Sequence, residues 1–206
     1  MKTVVIFGGS GFIGQHIARR MAKNGYKIII PYQRTLDEAK LRFLGDVGSI
    51  FPIKFKRMNE DNIAKFIKTS NVVINLKTLW HEKPISFEKG IYDFNDLLVK
   101  QINEYDKKKL LIYFSGLGIT SDSNSIRSKI IAKTEENILK NMRNGIIIRP
   151  GLVFGIDDNF LKKLIPLFKL SPIIPIFGNG NAKIQPVFVN DVVKAVETII
   201  AKNNLE

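Results

Sequence analysis

Cysteine is absent from the 206 residues, which removes disulfides, thiolate catalysis and every Cys-ligated zinc or iron–sulfur site. Histidine is nearly absent. His16 and His81 are the two in the chain, too far apart in sequence for a His-rich metal site, so no metal is expected. Long apolar runs are missing as well. No stretch reaches the roughly 18 uncharged apolar residues of a membrane span, and the apolar part of the opening MKTVVIFGGSG is too short and too glycine-rich for a signal peptide. These absences predict a soluble, cytoplasmic protein. Composition otherwise sits near the globular average, with 45% hydrophobic and 25% charged residues, so neither a disordered nor a collagen-like chain is expected.

Acids are scarce beside bases: 19 Asp and Glu against 32 Lys and Arg, a formal net charge of +13. Such an excess suits nucleic acid, an anionic membrane face or an anionic ligand. The bases are scattered, however, with only short clusters at Lys54–Arg57 and Lys107–Lys109. No recognition-helix pattern or aromatic–basic strand accompanies them. Nucleic acid is therefore not expected as a partner, and a lysine-rich solvated surface is the default reading.

What is present is an alternation of short apolar runs and helical patterns. Val4–Phe7, Lys27–Tyr32, Ile50–Phe55, Val72–Leu76, Leu110–Ser115 and Ile146–Arg149 read as strands, several of them continuously apolar, as strands covered on both faces must be. Between them, Gly11–Asn24, a short helix opened by the capping box Thr35–Glu38, Ile63–Thr69, Phe87–Tyr105 and Ile126–Asn141 read as helices. This order predicts an α/β fold, a doubly wound parallel sheet of the Rossmann type, over residues 1–150. Beyond Gly151, prolines 166, 172, 175 and 186 punctuate short apolar pieces before a last helix, Asp191–Lys202. Residues 151–206 are too few for an independent domain.

The first strand runs into Gly8-Gly9-Ser10-Gly11-Phe12-Ile13-Gly14, at the mouth of the first helix. Glycines at this spacing allow a tight turn, close approach of backbone to a pyrophosphate, and close packing of helix on strand. The helix end adds free N–H groups and a positive dipole end. The position after a strand and before a helix is the context that turns a weak motif into a dinucleotide-binding prediction. An acid at the end of the second strand would select NAD(H) through its ribose hydroxyl. Ile28–Arg34 carries none. Arg34 is placed instead to pair with a 2′-phosphate, which favours NADP(H) over NAD(H); the alternative is a solvated loop arginine.

The segments GGSGFIG, IIIPYQR, GDVG (45–48), NVVINL (71–76), IIIRPGLVFG (146–155) and QPVFVNDV (185–192) recur in that order. Together they resemble the atypical extended short-chain dehydrogenase/reductases related to the nucleotide-binding accessory subunit of respiratory complex I, within the NAD-dependent epimerase/dehydratase-like superfamily. The resemblance covers nearly the whole chain. It implies a Rossmann domain holding NADP(H) and a smaller lobe over the nicotinamide end, of which residues 151–206 would be a truncated part. The implied cofactor contacts are the turn residues Gly8 to Gly14, Arg34, Leu76, Lys77, Ser115, Lys129 and Pro150, with Lys77 either on a phosphate or in solvent.

The superfamily works with a Tyr-x-x-x-Lys pair and a serine after the fifth strand. The resemblance puts Ser115 at the serine and Lys129 at the lysine, which leaves Ser125 where the tyrosine belongs. An alkyl hydroxyl cannot take the proton-transfer role of a phenol near pKa 10 unaided. Tyr113 falls inside a strand and is no substitute. The expectation is an NADP(H)-binding protein that is non-catalytic or weakly catalytic, with a structural or redox-sensing role. The alternatives are an active reductase or epimerase/dehydratase on a small substrate such as a nucleotide sugar, and a degenerate remnant. Residues 160–177, rich in Phe, Leu and Ile and flanked by lysines, predict a protein partner, a homo-oligomer or a peripheral contact with an anionic membrane, such as the inner face of a respiratory membrane. A fold-back over the cleft is the alternative.

Overall fold

The structure, a computed structural model, describes residues 2–33, 37–55, 60–158, 162, 165–166, 169, 181 and 183–203. Its main sheet is built from β1 (Thr3–Phe7), β2 (Lys27–Tyr32), β3 (Ile50–Lys54), β4 (Val72–Asn75), β5 (Leu110–Phe114) and β6 (Gly145–Ile148). The spatial order is β3-β2-β1-β4-β5-β6, with every neighbouring pair parallel. The expected doubly wound sheet is present. Between strands lie α1 (Phe12–Lys23), α2 (Asp37–Arg42), α3 (Glu60–Lys68), α4 (Phe94–Tyr105) and α5 (Ile126–Asn141).

Central strands are largely apolar because helices cover both of their faces, with Thr3 and Asn75 as buried polar residues at strand ends. All five residues of β1 and of β5 are buried. The edge strand β3 is mostly open to solvent and accommodates Pro52, which lacks the N–H that a central strand would need. Alternate side chains feed two cores. Ile6, Ile28, Ile74 and Ile112 pack with Ile17 and Met21 of α1. Val5, Phe7, Val73 and Leu111 pack on the other face with Ile63 and Ile67 of α3, Leu98 and Ile102 of α4, and Ile131 and Ile138 of α5.

Two features were not foreseen. The helix expected from Phe87 opens with a π-helical turn, Glu88–Asp93, at which Gly90 lies directly under the Leu79 side chain. Beyond β6, the short strands β7 (Leu152–Phe154) and β8 (Pro186–Phe188) form a separate parallel pair. The last helix, α6 (Val189–Lys202), starts two residues before the expected Asp191. Its Val189, Val192, Val193, Val196 and Ile200 enter the same core as α1. A polar clasp reinforces that contact: Arg20 Nε donates to Glu197 Oε2 at 3.0 Å and Asn24 Nδ2 donates to Oε1 at 2.6 Å.

Candidate dinucleotide cleft

The strand order reverses between β1 and β4, and in open parallel sheets ligands bind at that switch point, beyond the carboxyl ends of the strands. A cleft of about 600 Å3 lies there, lined by Phe12 and Ile13 from the glycine turn, Leu76 and Thr78 after β4, Ser115 and Gly116 after β5, and Pro150 and Gly151 after β6. Arg127 and Ile131 of α5, Trp80, and Lys183 to Gln185 complete its wall.

The glycine turn has the geometry its spacing predicts. Gly8 adopts φ +80, and a Cβ on Gly14 would stand 2.6 Å from both the Gly8 carbonyl oxygen and the Gly9 Cα. The first requirement belongs to the turn, the second to helix-on-strand packing. Gly11 N donates to Gly8 O at 3.0 Å, closing the turn. Gly11 caps α1 without any side-chain hydrogen bond, and the first turn of α1 carries no acid. Its leading amides therefore offer a positive dipole end with no acid in their own turn. Beside them, Ser10, Gln15, His16, Arg19 and Lys40, with Asp157 and Lys162, line a smaller hollow of about 200 Å3. His16 Nε2 lies 3.1 Å from Ile156 O, which ties the loop after β7 to α1. Arg34, the expected selector of NADP(H), lies outside the described residues, as does 56–59.

After β4 a buried amide pair shapes the chain. Asn75 Nδ2 donates to Asn95 Oδ1 at 2.8 Å, Asn95 Nδ2 donates to Ile91 O at 2.7 Å, and Lys77 N donates to Asn75 Oδ1 at 2.9 Å. That turn brings Leu76 to the cleft. It sends the Lys77 ammonium over the Phe94 ring, 4.1 Å from its centroid. Burial lowers its pKa.

Ser115 lies at the end of β5 as expected, its amide donating to Ile148 O at 2.9 Å. Its hydroxyl oxygen is buried and finds no partner among the described residues. Lys129 is not brought to it. Lys129 is exposed and lines a different hollow, with Lys133, Glu135, Glu136, Lys140 and Arg149. Ser125 is the N-cap of α5, its hydroxyl accepting from Ser128 N at 3.4 Å. The reason is helical phase: Lys129 is two residues from both Arg127 and Ile131, about 200° around the axis. The pair that α5 turns to the cleft is Arg127 and Ile131. Tyr113 is packed inside β5, and burial raises its pKa.

Residues 4–116 match the NAD dependent epimerase/dehydratase family. The chain belongs to that family. Membership implies a nicotinamide dinucleotide as cofactor, and the uncapped α1 terminus and close-packed glycines fit one. The chain is 32% identical, over 93% of its length and 48% of the relative's, to NADH dehydrogenase [ubiquinone] 1 alpha subcomplex subunit 9, mitochondrial, of Arabidopsis thaliana. It is 27% identical to the NADH-ubiquinone oxidoreductase 40 kDa subunit, mitochondrial, of Neurospora crassa, over 98% of this chain and 53% of that one. It thus spans about half the length of these relatives. A solved structure, Pen from Bacillus thuringiensis, superposes with a TM-score of 0.81 at 13% identity, over 97% of this chain and 65% of that chain; it shares the fold. No helix among the described residues is long and apolar enough to cross a membrane.

Proposed function

We propose that this epimerase/dehydratase-family chain binds NADP(H) as a structural or redox-sensing ligand, with little or no turnover. One observation carries the reading: α5 turns Arg127 and Ile131 toward the cleft. Arginine stays protonated and isoleucine has no proton to exchange, so neither can act as an acid or base near neutral pH. No His, Asp, Glu or Tyr is among the described residues that line the cleft with Ser115. In the bound state the dinucleotide would supply a hydride donor or acceptor. This chain's part would be to hold its phosphates on the first-turn amides of α1 and to wall its nicotinamide end with Ile13, Leu76 and Pro150.

The preference for NADP(H) is supported by the cationic hollow beside the glycine turn, where Arg19 and Lys40 join His16, and by Arg34 in the sequence. Similarity to mitochondrial complex I subunits supports a protein partner and a site peripheral to a respiratory membrane. The +13 net charge suits an anionic surface. Residues 160–177, the segment expected to make that contact, lie outside the described residues except for Lys162, Ile165, Pro166 and Lys169. The decisive experiment is mass spectrometry of small molecules released from gently purified protein, with NADP(H) expected and no nucleotide counting against the reading.

A second reading, an active reductase or epimerase on a small substrate, is favoured by the buried, unpartnered Ser115 hydroxyl in the cleft. Turnover of nucleotide sugars or small carbonyl compounds that collapses in Ser115→Ala would establish it in place of the first.

A further inference from the structure

The guanidinium of Arg127 is held by two hydrogen bonds and an aromatic ring. Its Nε donates to Leu79 O at 2.7 Å, Nη2 donates to Thr78 Oγ1 at 3.0 Å, and its carbon lies 4.4 Å from the centre of the Trp80 ring. Those bonds use two of five N–H groups. Neither of its acceptors is a carboxylate, and no acid is among the described residues lining the cleft. Lys183 adds a second positive charge to the wall, and partial burial already disfavours the charged form of Arg127. A half-buried cation fixed in orientation, with no carboxylate among the described residues that line its cleft and with the Ser115 hydroxyl in the same wall, is a receptor for an oxyanion. The remaining wall, with Phe12, Ile13, Leu76, Phe114 and Val153, is apolar.

We propose that Arg127 makes the far end of this cleft a binding site for a small carboxylate- or phosphate-bearing ligand, separate from the dinucleotide phosphates at α1. The proposal deepens the functional reading above and rests on its assignment of this cleft as the ligand site. The oxyanion lies against the free edge of the guanidinium, and the ligand's carbon skeleton lies on the apolar wall. Trp80, 72% exposed at the mouth, covers it.

Trp80 is the one tryptophan in the chain, so its emission reports this contact directly. Acetate, succinate and inorganic phosphate are titrated at constant ionic strength against acetamide and succinamide, with and without saturating NADP+. NADP+ affinity is measured in parallel by calorimetry. The anions are expected to change the emission saturably and the neutral amides are not. Arg127→Gln is expected to weaken anion binding about tenfold or more, and Arg127→Lys, which keeps charge but not the planar fork, to fall between. NADP+ affinity in both variants is expected within about threefold of wild type. Failure of every anion to shift the emission, or equal binding by wild type and both variants, overturns the proposal. So does a loss of NADP+ binding in the variants with silent anion titrations, because the guanidinium then serves the dinucleotide. Arg127-dependent anion binding in a protein that takes up no dinucleotide sustains this inference and defeats the functional reading instead.

Discussion

Arg149 grips the carboxylate of Glu135 with both prongs of its guanidinium, Nε to Oε1 at 2.9 Å and Nη2 to Oε2. Glu135 is only 3% exposed, whereas the arginine side chain is half exposed. The bond joins the middle of α5 to the end of β6, immediately before Pro150 at the cleft. Ile131 and Arg127, which meet the cleft, lie one and two turns back from Glu135, so the bond acts with the burial of Ile131 and Ile138 to hold α5 in this orientation.

Removal of one partner leaves the other without its counter-charge. For Arg149→Ala the buried carboxylate of Glu135 loses two charged donors. Discounted for the exposure of the arginine, the cost is about 1–2 kcal/mol. A thermal melt is expected to show a Tm lower by roughly 3–8 °C. An unchanged Tm would mean that α5 keeps its phase by apolar packing alone.

Lys129 lines a different hollow, so its removal is expected to be silent at the cleft. Lys129→Ala should bind NADPH within about twofold of wild type by calorimetry. Ser125→Tyr is expected to create no turnover, because residues 125 and 129 lie one turn apart on α5 and neither lines the cleft. A clear loss of NADPH affinity in Lys129→Ala would restore Lys129 to the site.

Gly14 leaves no room for a methyl group. In Gly14→Ala the new carbon meets backbone at 2.6 Å on two sides, so the turn or the helix must shift. Overpacking of this kind costs about 1–3 kcal/mol. NADP(H) affinity is expected to fall by more than about tenfold, since the displaced amides are those that face the phosphates. Calorimetry and a melt on the same sample separate the two effects.

Cofactor choice depends on charge near the glycine turn. NADPH is expected to bind about ten to a hundred times more tightly than NADH, from a charge-assisted phosphate contact of roughly 1.5–3 kcal/mol. Arg34→Ala, and to a lesser degree Arg19→Ala and Lys40→Ala, should narrow that ratio without affecting NADH. Equal affinities in the wild type would remove these residues from the role.

Acid should loosen the clasp between α1 and α6. The hydrogen bond from Arg20, followed by that from Asn24, holds the Glu197 carboxyl below its ordinary pKa. A carboxyl depressed in the folded state stabilises above its unfolded pKa of about 4.3, and that contribution is lost as pH falls through the folded value. The Tm is expected to fall between about pH 5 and pH 3, and Glu197→Gln to show a shallower fall in the same window. Parallel curves would place the acid sensitivity elsewhere.

The sequence alone determined the sheet and the phosphate turn, because both are written in local terms. A strand covered on two faces is apolar at nearly every position, so Val4–Phe7 and Val72–Leu76, with Asn75 as its one polar residue, were legible without knowledge of their neighbours. The spacing of Gly8, Gly11 and Gly14 encodes its own turn. β7 and β8 were not legible, since three residues carry no periodicity and their pairing joins Leu152 to Pro186 across a long interval. The face of α5 was decided only in the folded molecule. Counting back from Lys129 gave a plausible motif, but nothing local distinguishes that face of the helix from the next. The mark that was available is the 127, 131, 135 row followed by Arg149 before Pro150, and it has meaning only once β6 stands beside α5. Which side chains α5 turns to the cleft depends on contacts distant in sequence, the burial of Ile131 and Ile138 against the sheet and the bond from Glu135 to Arg149, and these exist only in the folded molecule.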